Sequence, residues 1–320
     1  MRLTNNMILK RYMRNLNTSF KTLNKLSDIS SSQQLYKKAS ENPAAALKAF
    51  NVRSDLFKIG IYKGNLLDVR NILTDIESCI ATINDIAVEV NTRIEQAKNV
   101  TYSETERAAI AAVIENMQVQ LLEVVNRRTA GRYIFGGSNL TEMPFTVEDG
   151  KLLYHGVDVD TGIFEKDSIY VDLGAGMSSG AAPVNDNTAF DISYPGVRLL
   201  GHGVDEDGIS NNLYNIMSDL VAMLNNNDIS QIDKYQAKFE QVISGILVQY
   251  ADIGEKCNFV NFLDKRLLVD EENYLNKQDG LEVADLAEAF MNLEYQKMAY
   301  NAALKIGASV LQGSLLDFLS

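Results

Sequence analysis

The chain has 320 residues, 46% of them hydrophobic and 22% charged. That is an ordinary globular balance, long enough to bury a sizeable core. The formal net charge of −12 argues against nucleic acid and anionic membrane as partners. The two cysteines, Cys79 and Cys257, form no CxxC pair, so neither a metal site nor a redox framework is expected.

The first 38 residues are basic, with Arg2, Lys10, Arg11, Arg14, Lys21, Lys25, Lys37 and Lys38 against Asp28 alone. Within them Leu9, Met13, Leu16, Phe20 and Leu23 recur at steps of three and four, the spacing of an amphipathic helix. Lys10, Arg11 and Arg14 interrupt any apolar leader core, so no cleaved secretory signal is expected. No stretch is expected to reach the roughly 18 apolar residues of a membrane span. An extracellular destination then requires another export route.

From Ile59 the apolar positions continue as Tyr62, Leu66, Val69, Leu73, Ile76, Ile80, Ile83, Ala87, Val90, Ile94 and Ala97, which is the seam of a helical bundle or coiled coil. Ser103 and Glu106 form a capping box for the next helix, whose stripe is Ile110, Ile114, Met117, Leu121 and Val124. The middle of the chain changes character. Pro144, Pro183 and Pro195, three of the four prolines, lie there with half of the 20 glycines, and residues 139–210 carry thirteen Asp/Glu against Lys151, Lys166 and Arg198. Short runs such as Lys151–Tyr154, Gly162–Phe164 and Ser168–Leu173 read as strands of a small antiparallel domain.

A third seam follows: Ile232, Tyr235, Phe239, Val242, Ile246, Ile253, Val260 and Leu267. The three seams are expected to bury each other in an elongated helical rod. At the C-terminus Val283, Leu286, Phe290, Leu293, Tyr300, Leu304 and Leu311 form a last stripe. A lone amphipathic helix at each chain end cannot bury its stripe by itself. The two are expected to pack on each other and on neighbouring copies.

The expected fold class is therefore α + β: an elongated helical bundle or coiled-coil rod from paired N- and C-terminal helices, with a small inserted mainly-β domain. The expected domains are a terminal assembly domain (1–38 with 284–320), a helical rod (39–139 with 206–283) and an inserted β-rich outer domain (140–205).

Catalytic signals are weak. His155 and His202 sit among glycines, and Ser-x-x-Lys, GxSxG and HExxH motifs are missing from the sequence. Gly174–Gly180 has the wrong spacing for a dinucleotide fingerprint and reads as a hairpin loop. Asp158–Gly162 and Asp205–Gly208 fall short of the twelve-residue calcium-loop pattern and read as turns. An enzyme reading survives only as a glycan hydrolase in the insert, which needs paired carboxylates about 5–10 Å apart in a concave cleft.

Several segments resemble one family. Met1–Met7, Arg11–Asn17, the Ser40–Ala46 turn, Arg128–Ser138, Val283–Leu293, Ala299–Leu304 and Gly313–Leu319 are similar to the corresponding parts of the flagellin-like hook-associated protein 3 family, in order along both flanks. Where that family usually has Gly-Lys-Arg before the turn, this chain has Gln33-Gln34-Leu35, so the bend after the first helix is expected to differ.

The resemblance implies a non-enzymatic structural subunit without cofactors. It would form a homo-oligomeric ring joining the hook, through hook-associated protein 1, to the flagellin filament. It also implies export without a cleaved signal through the flagellar type III apparatus, contact with a flagellar export chaperone, and an extracellular location in the flagellum. Flagellin itself shares the plan and stays open as the alternative.

The assembly residues implied are Leu9, Met13, Leu16, Phe20, Leu23, Leu286, Phe290, Leu293, Tyr300, Leu304, Leu311, Leu315 and Phe318. Ordering a helix costs about 1–2 kcal/mol per backbone residue, and each well-buried Leu or Phe returns roughly 1.5–3 kcal/mol. Folding of these ends is thus expected to be coupled to assembly.

Overall fold

The structure, a computed structural model, describes residues 5–99, 101–148, 150–165, 167–174 and 190–319, and the side chains of all of these except 5, 6, 8 and 309–319. The helices are α1 (Asn5–Ser32), α2 (Pro43–Ala97), α3 (Glu104–Val125), α4 (Gly196–Leu200), α5 (Leu213–Asn225), α6 (Ile232–Glu282) and α7 (Leu286–Leu319). Between α3 and α4 lie β1 (Arg128–Thr129), β2 (Arg132–Tyr133), β3 (Phe145–Glu148), β4 (Lys151–Tyr154), β5 (Val157–Asp158), β6 (Tyr170–Val171) and β7 (Phe190–Asp191). The chain divides into a terminal unit, Met1–Ile59 with Leu268–Ser320, and a central unit, Gly60–Leu267.

In the central unit the heptad pattern does what its spacing implies. On α2 Leu66, Val69, Leu73, Ile76, Ile80, Ile83, Ala87, Val90, Ile94 and Ala97 are all buried. On α6 the buried residues recur every seventh position, at Ile232, Phe239, Ile246, Ile253, Val260 and Leu267. Polar contacts fix an antiparallel register between the two helices. Lys98 Nζ donates to Gln236 Oε1 at 2.8 Å, Gln236 Nε2 to Asn91 Oδ1 at 3.2 Å, and Arg70 pairs with Asp264 at 3.5 Å. Gln236 is buried in the α6 seam. A satisfied amide among apolar heptad positions favours one register over its neighbours.

The capping box starts α3 as expected. Ser103 N donates to Glu106 Oε2 at 2.7 Å and Glu106 N to Ser103 Oγ at 3.4 Å. The backbone and hydroxyl hydrogen bonds from Ser103 lower the Glu106 pKa. The main partner of α3 is α5, a helix absent from the sequence reading. Leu213, Ile216, Met217, Leu220 and Leu224 bury its inner face. Gln118 Nε2 donates to Tyr214 O at 3.0 Å, and Arg107 Nη1 to Asn227 Oδ1 at 2.6 Å. The expectation of three seams burying each other is corrected accordingly: α5 supplies much of what covers α3. The expectation about membrane spans is corrected too. α3 is long and apolar enough to cross a membrane by length and composition, and a third of that window is buried inside the protein.

The strands form three small antiparallel sheets, β1-β2, β3-β4-β5 and β6-β7. Ala130 and Gly131, both at positive φ, make the two-residue turn between β1 and β2, where right-handed strand twist demands that geometry. Phe145, Leu152, Tyr154 and Val159 are buried. Asn126, just past α3, holds β3 from both sides: its Oδ1 accepts from Phe145 N at 3.0 Å and its Nδ2 donates to Phe145 O at 2.9 Å.

Lys151–Tyr154 is a strand as read. Ser168–Leu173 shrinks to Tyr170–Val171. Gly162–Phe164 is not a strand; Ile163 is exposed and Phe164 turns its ring toward Tyr154 and His202. The alternation there was too short to outweigh these ring contacts. The Gly174–Gly180 loop falls, after Gly174, outside the described residues.

Candidate assembly interface

The terminal unit is built on the pairing of α1 with α7. On α1, Tyr12, Leu16, Ser19, Leu23, Leu26 and Ile29 are half-buried. On α7 the matching row is Ala289, Leu293, Gln296, Tyr300, Ala303 and Gly307, of which Ala289 and Gly307 are buried and the rest half-buried.

Three contacts lock the register. Tyr12 OH donates to Ala303 O at 2.9 Å. Gln296 Nε2 donates to Ser19 O at 3.1 Å and Ser19 Oγ at 2.8 Å. The rings of Phe20 and Tyr300 lie 5.8 Å apart. Gly307 lies directly under the Tyr12 ring, where a Cβ would collide with it.

The expected single stripe on each terminal helix therefore splits in two. Leu16, Leu23, Leu293 and Tyr300 face the partner helix. Leu9, Met13, Phe20, Leu286, Phe290 and Leu304 remain exposed, Phe20 at 46% and Phe290 at 53%. Leu311, Leu315 and Phe318 have side chains outside the described residues.

Exposed apolar residues that sequence reasoning missed join this outer face: Met291, Tyr295, Met298 and Ile306, with Tyr295 68% exposed. The seam itself was hard to see because Ser19, Gln296, Ala303 and Gly307 are polar or small. Their i, i+3, i+4 spacing relative to Leu16 and Leu293 was the available signal.

The turns at the base of the pair are joined to each other. Leu35 N donates to Glu282 O at 2.9 Å and Ala284 N to Gln33 O at 3.0 Å, an antiparallel bridge between Gln34 and Val283. Gln33 ends α1 at φ 59°. Nearby, Arg53 pairs with Glu282, and Gln278 Nε2 donates to Glu282 Oε2 at 3.0 Å. The Arg53 hydrogen bond, ahead of burial, which opposes it, holds the Glu282 carboxyl below its ordinary pKa.

The catalytic alternatives gain little from the central unit. Asp158 Oδ1 accepts from Asp160 N at 2.9 Å, and Asp160 is held by Ser210 and Asn215. Asp205 Oδ1 accepts from Asp207 N at 3.0 Å and Ile209 N at 2.9 Å. These are turn and loop hydrogen bonds. A groove of about 520 Å³ is lined by Ile72, Tyr133, Ile134 and Tyr194, and its carboxylates, Asp68 and Asp75, both come from α2. His155 Nε2 lies 3.0 Å from Gly136 O.

Comparison with known proteins bears on these features. Residues 3–140 match the family model of the bacterial flagellin N-terminal helical region. Flagellar hook-associated protein 3 of Escherichia coli (strain K12) is 34% identical over 76 residues, which is 23% of this chain and 24% of that protein. The chain is flagellin-like and similar to flagellar hook-associated protein 3.

The match spans about a quarter of that relative's length. Solved structures extend the likeness in fold. A structure titled as a putative flagellar hook-associated protein from Vibrio parahaemolyticus aligns with TM-score 0.63 at 14% identity, covering 76% of this flagellin-like chain and all of that one. Bacillus cereus FlgL aligns with TM-score 0.56 at 21% identity over 72% of this chain and 99% of that one. The flagellar junction protein FlgL of Legionella pneumophila aligns with TM-score 0.55 at 11% identity over 75% and 100%. The similarities are thus to structural proteins of the bacterial flagellum.

Proposed function

We propose that this flagellin-like chain is a structural subunit of the bacterial flagellum. In this reading it forms a ring that joins the hook, via hook-associated protein 1, to the flagellin filament. The observation that carries the reading is the terminal pair: two helices that satisfy each other along one seam and still leave Leu9, Met13, Phe20, Leu286, Phe290, Met298 and Leu304 exposed. Such a row is costly on an isolated monomer and suits burial against further copies.

Export runs through the flagellar type III apparatus, with a flagellar chaperone covering the terminal helices beforehand. The mature protein is extracellular, and no catalytic step, nucleic acid or membrane is part of the role. Labelling purified flagella with an antibody against this chain tests the proposal. A band at the hook–filament boundary is expected. Label along the whole filament means a filament subunit instead, and label elsewhere in the cell sinks both.

A further inference from the structure

We propose that α1 carries a cationic docking stripe that receives the acidic face of α6 in a second copy of this chain. This deepens the reading of the chain as a self-assembling subunit and rests on it.

Lys10, Arg14, Lys21 and Lys25 recur at steps of four and seven, which places them on one side of a 3.6-residue helix. Arg11 stands beside them, and all five are exposed. The seam to α7 runs through Tyr12, Leu16, Ser19 and Leu23, on the opposite side. Among the described residues none of the five cations has an ion-pair partner. Exposed Leu9, Met13 and Phe20 lie along one edge of the stripe. α1 therefore offers a basic row flanked by an apolar row.

The complementary pattern lies in the same terminal unit. On α6 Leu268, Glu272, Leu275 and Asp279 follow steps of four, three and four, again one face. Leu268 and Leu275 are each 48% exposed, and Glu272 and Asp279 are exposed. Neither carboxylate has a cation partner among the described residues. The face spans roughly 16 Å at 1.5 Å per residue, against roughly 22 Å for the stripe. Both rows are open in the single chain, so contact between them requires another copy.

Charge argues for a like copy as the occupant. The chain carries −12, so copies repel unless a local contact of opposite sign offsets it. α2, α3, α6 and α7 each carry more carboxylates than cations, and α1 reverses this with five cations and Asp28. A second copy thus supplies the acid that the stripe lacks and, in Leu268 and Leu275, apolar residues to meet Leu9, Met13 and Phe20.

Sedimentation velocity on the purified full chain, across protein concentration at low and high salt, tests this. Association of the wild type is expected to weaken with salt. Lys21→Glu/Lys25→Glu and Glu272→Lys/Asp279→Lys are each expected to weaken it about tenfold or more. The four substitutions combined restore it. Circular dichroism on each variant checks that the helices are retained.

A wild type that stays monomeric throughout, association indifferent to either charge reversal, or no recovery in the combined variant overturns the proposal. So does binding to phosphatidylglycerol vesicles that Lys21→Glu/Lys25→Glu abolishes while copy–copy association is unchanged. Antibody label away from the flagellum sinks the functional reading yet leaves these association constants standing. Charge-insensitive association sinks the stripe and leaves the flagellar reading intact.

Discussion

The hydroxyl of Tyr12 donates to the carbonyl oxygen of Ala303 at 2.9 Å, joining residues 291 positions apart across the α1–α7 seam. One helical turn later, Gly307 makes room for the same ring. A pair of chain ends is thus held by a polar tyrosine over a glycine, where a larger residue would hold the helices apart.

Gly307→Leu is expected to separate α1 from α7, because the added side chain occupies the volume of the Tyr12 ring. Tyr12→Phe keeps the ring and removes one hydrogen bond, a loss of about 1 kcal/mol. Hydrogen exchange on the full chain distinguishes the two. Gly307→Leu should release Leu16 and Leu23 amides strongly and Tyr12→Phe only slightly; equal protection in both variants contradicts the packing described here.

Phe290 and Leu293 sit three residues apart and face different neighbours. Phe290→Asp changes an exposed position, so the stability of the monomer should move by no more than about 0.5 kcal/mol. Incorporation into flagella should nevertheless be lost. Leu293→Asp places a carboxylate in the α1–α7 seam and should loosen the monomer's terminal pair as well. Normal motility in a Phe290→Asp strain would show that the outer face is not the joint.

In the central unit, Phe239→Ala and Phe145→Ala each empty a site with no exposed surface. A loss of about 3–5 kcal/mol is expected for either. Ser103→Ala, which removes the cap of α3, should cost about 1 kcal/mol. Urea titration of the three variants checks the ranking, and a Ser103→Ala effect as large as that of Phe239→Ala would refute it.

The bridge between the two turns should be acid-sensitive. The Arg53 hydrogen bond lowers the Glu282 pKa, so the folded state binds its proton less readily than the unfolded chain. The resulting stabilisation is complete above the ordinary glutamate value of about 4.3 and is lost as pH falls through the depressed one. Glu282→Gln removes that dependence. Protection of the Leu35 and Ala284 amides, compared between wild type and variant at each pH, should converge only as pH falls through that depressed value. A constant ratio would show that the ion pair does not support the bridge.

Much of the architecture was determined by the sequence alone. On α2 and α6 the heptad spacing marks most of the residues that are buried, although both helices also expose apolar residues such as Phe57 and Phe262. The Ser103–Glu106 box is local, and neighbours a few residues apart settle it.

What only the tertiary structure decided was which of several plausible faces each helix turns inward. On α1 the apolar residues cover more than half a turn, and the choice of Tyr12, Leu16, Ser19 and Leu23 over Leu9 and Met13 depends on small and polar partners on α7 nearly 300 residues away. α5 went unread because its stripe is short and gains its meaning from α3. The Gln34–Val283 bridge could not be foreseen, because backbone hydrogen bonds between distant turns leave no mark on side-chain pattern. Periodicity reports that a helix has an inside; the shape and hydrogen-bonding capacity of the partner decide where that inside lies.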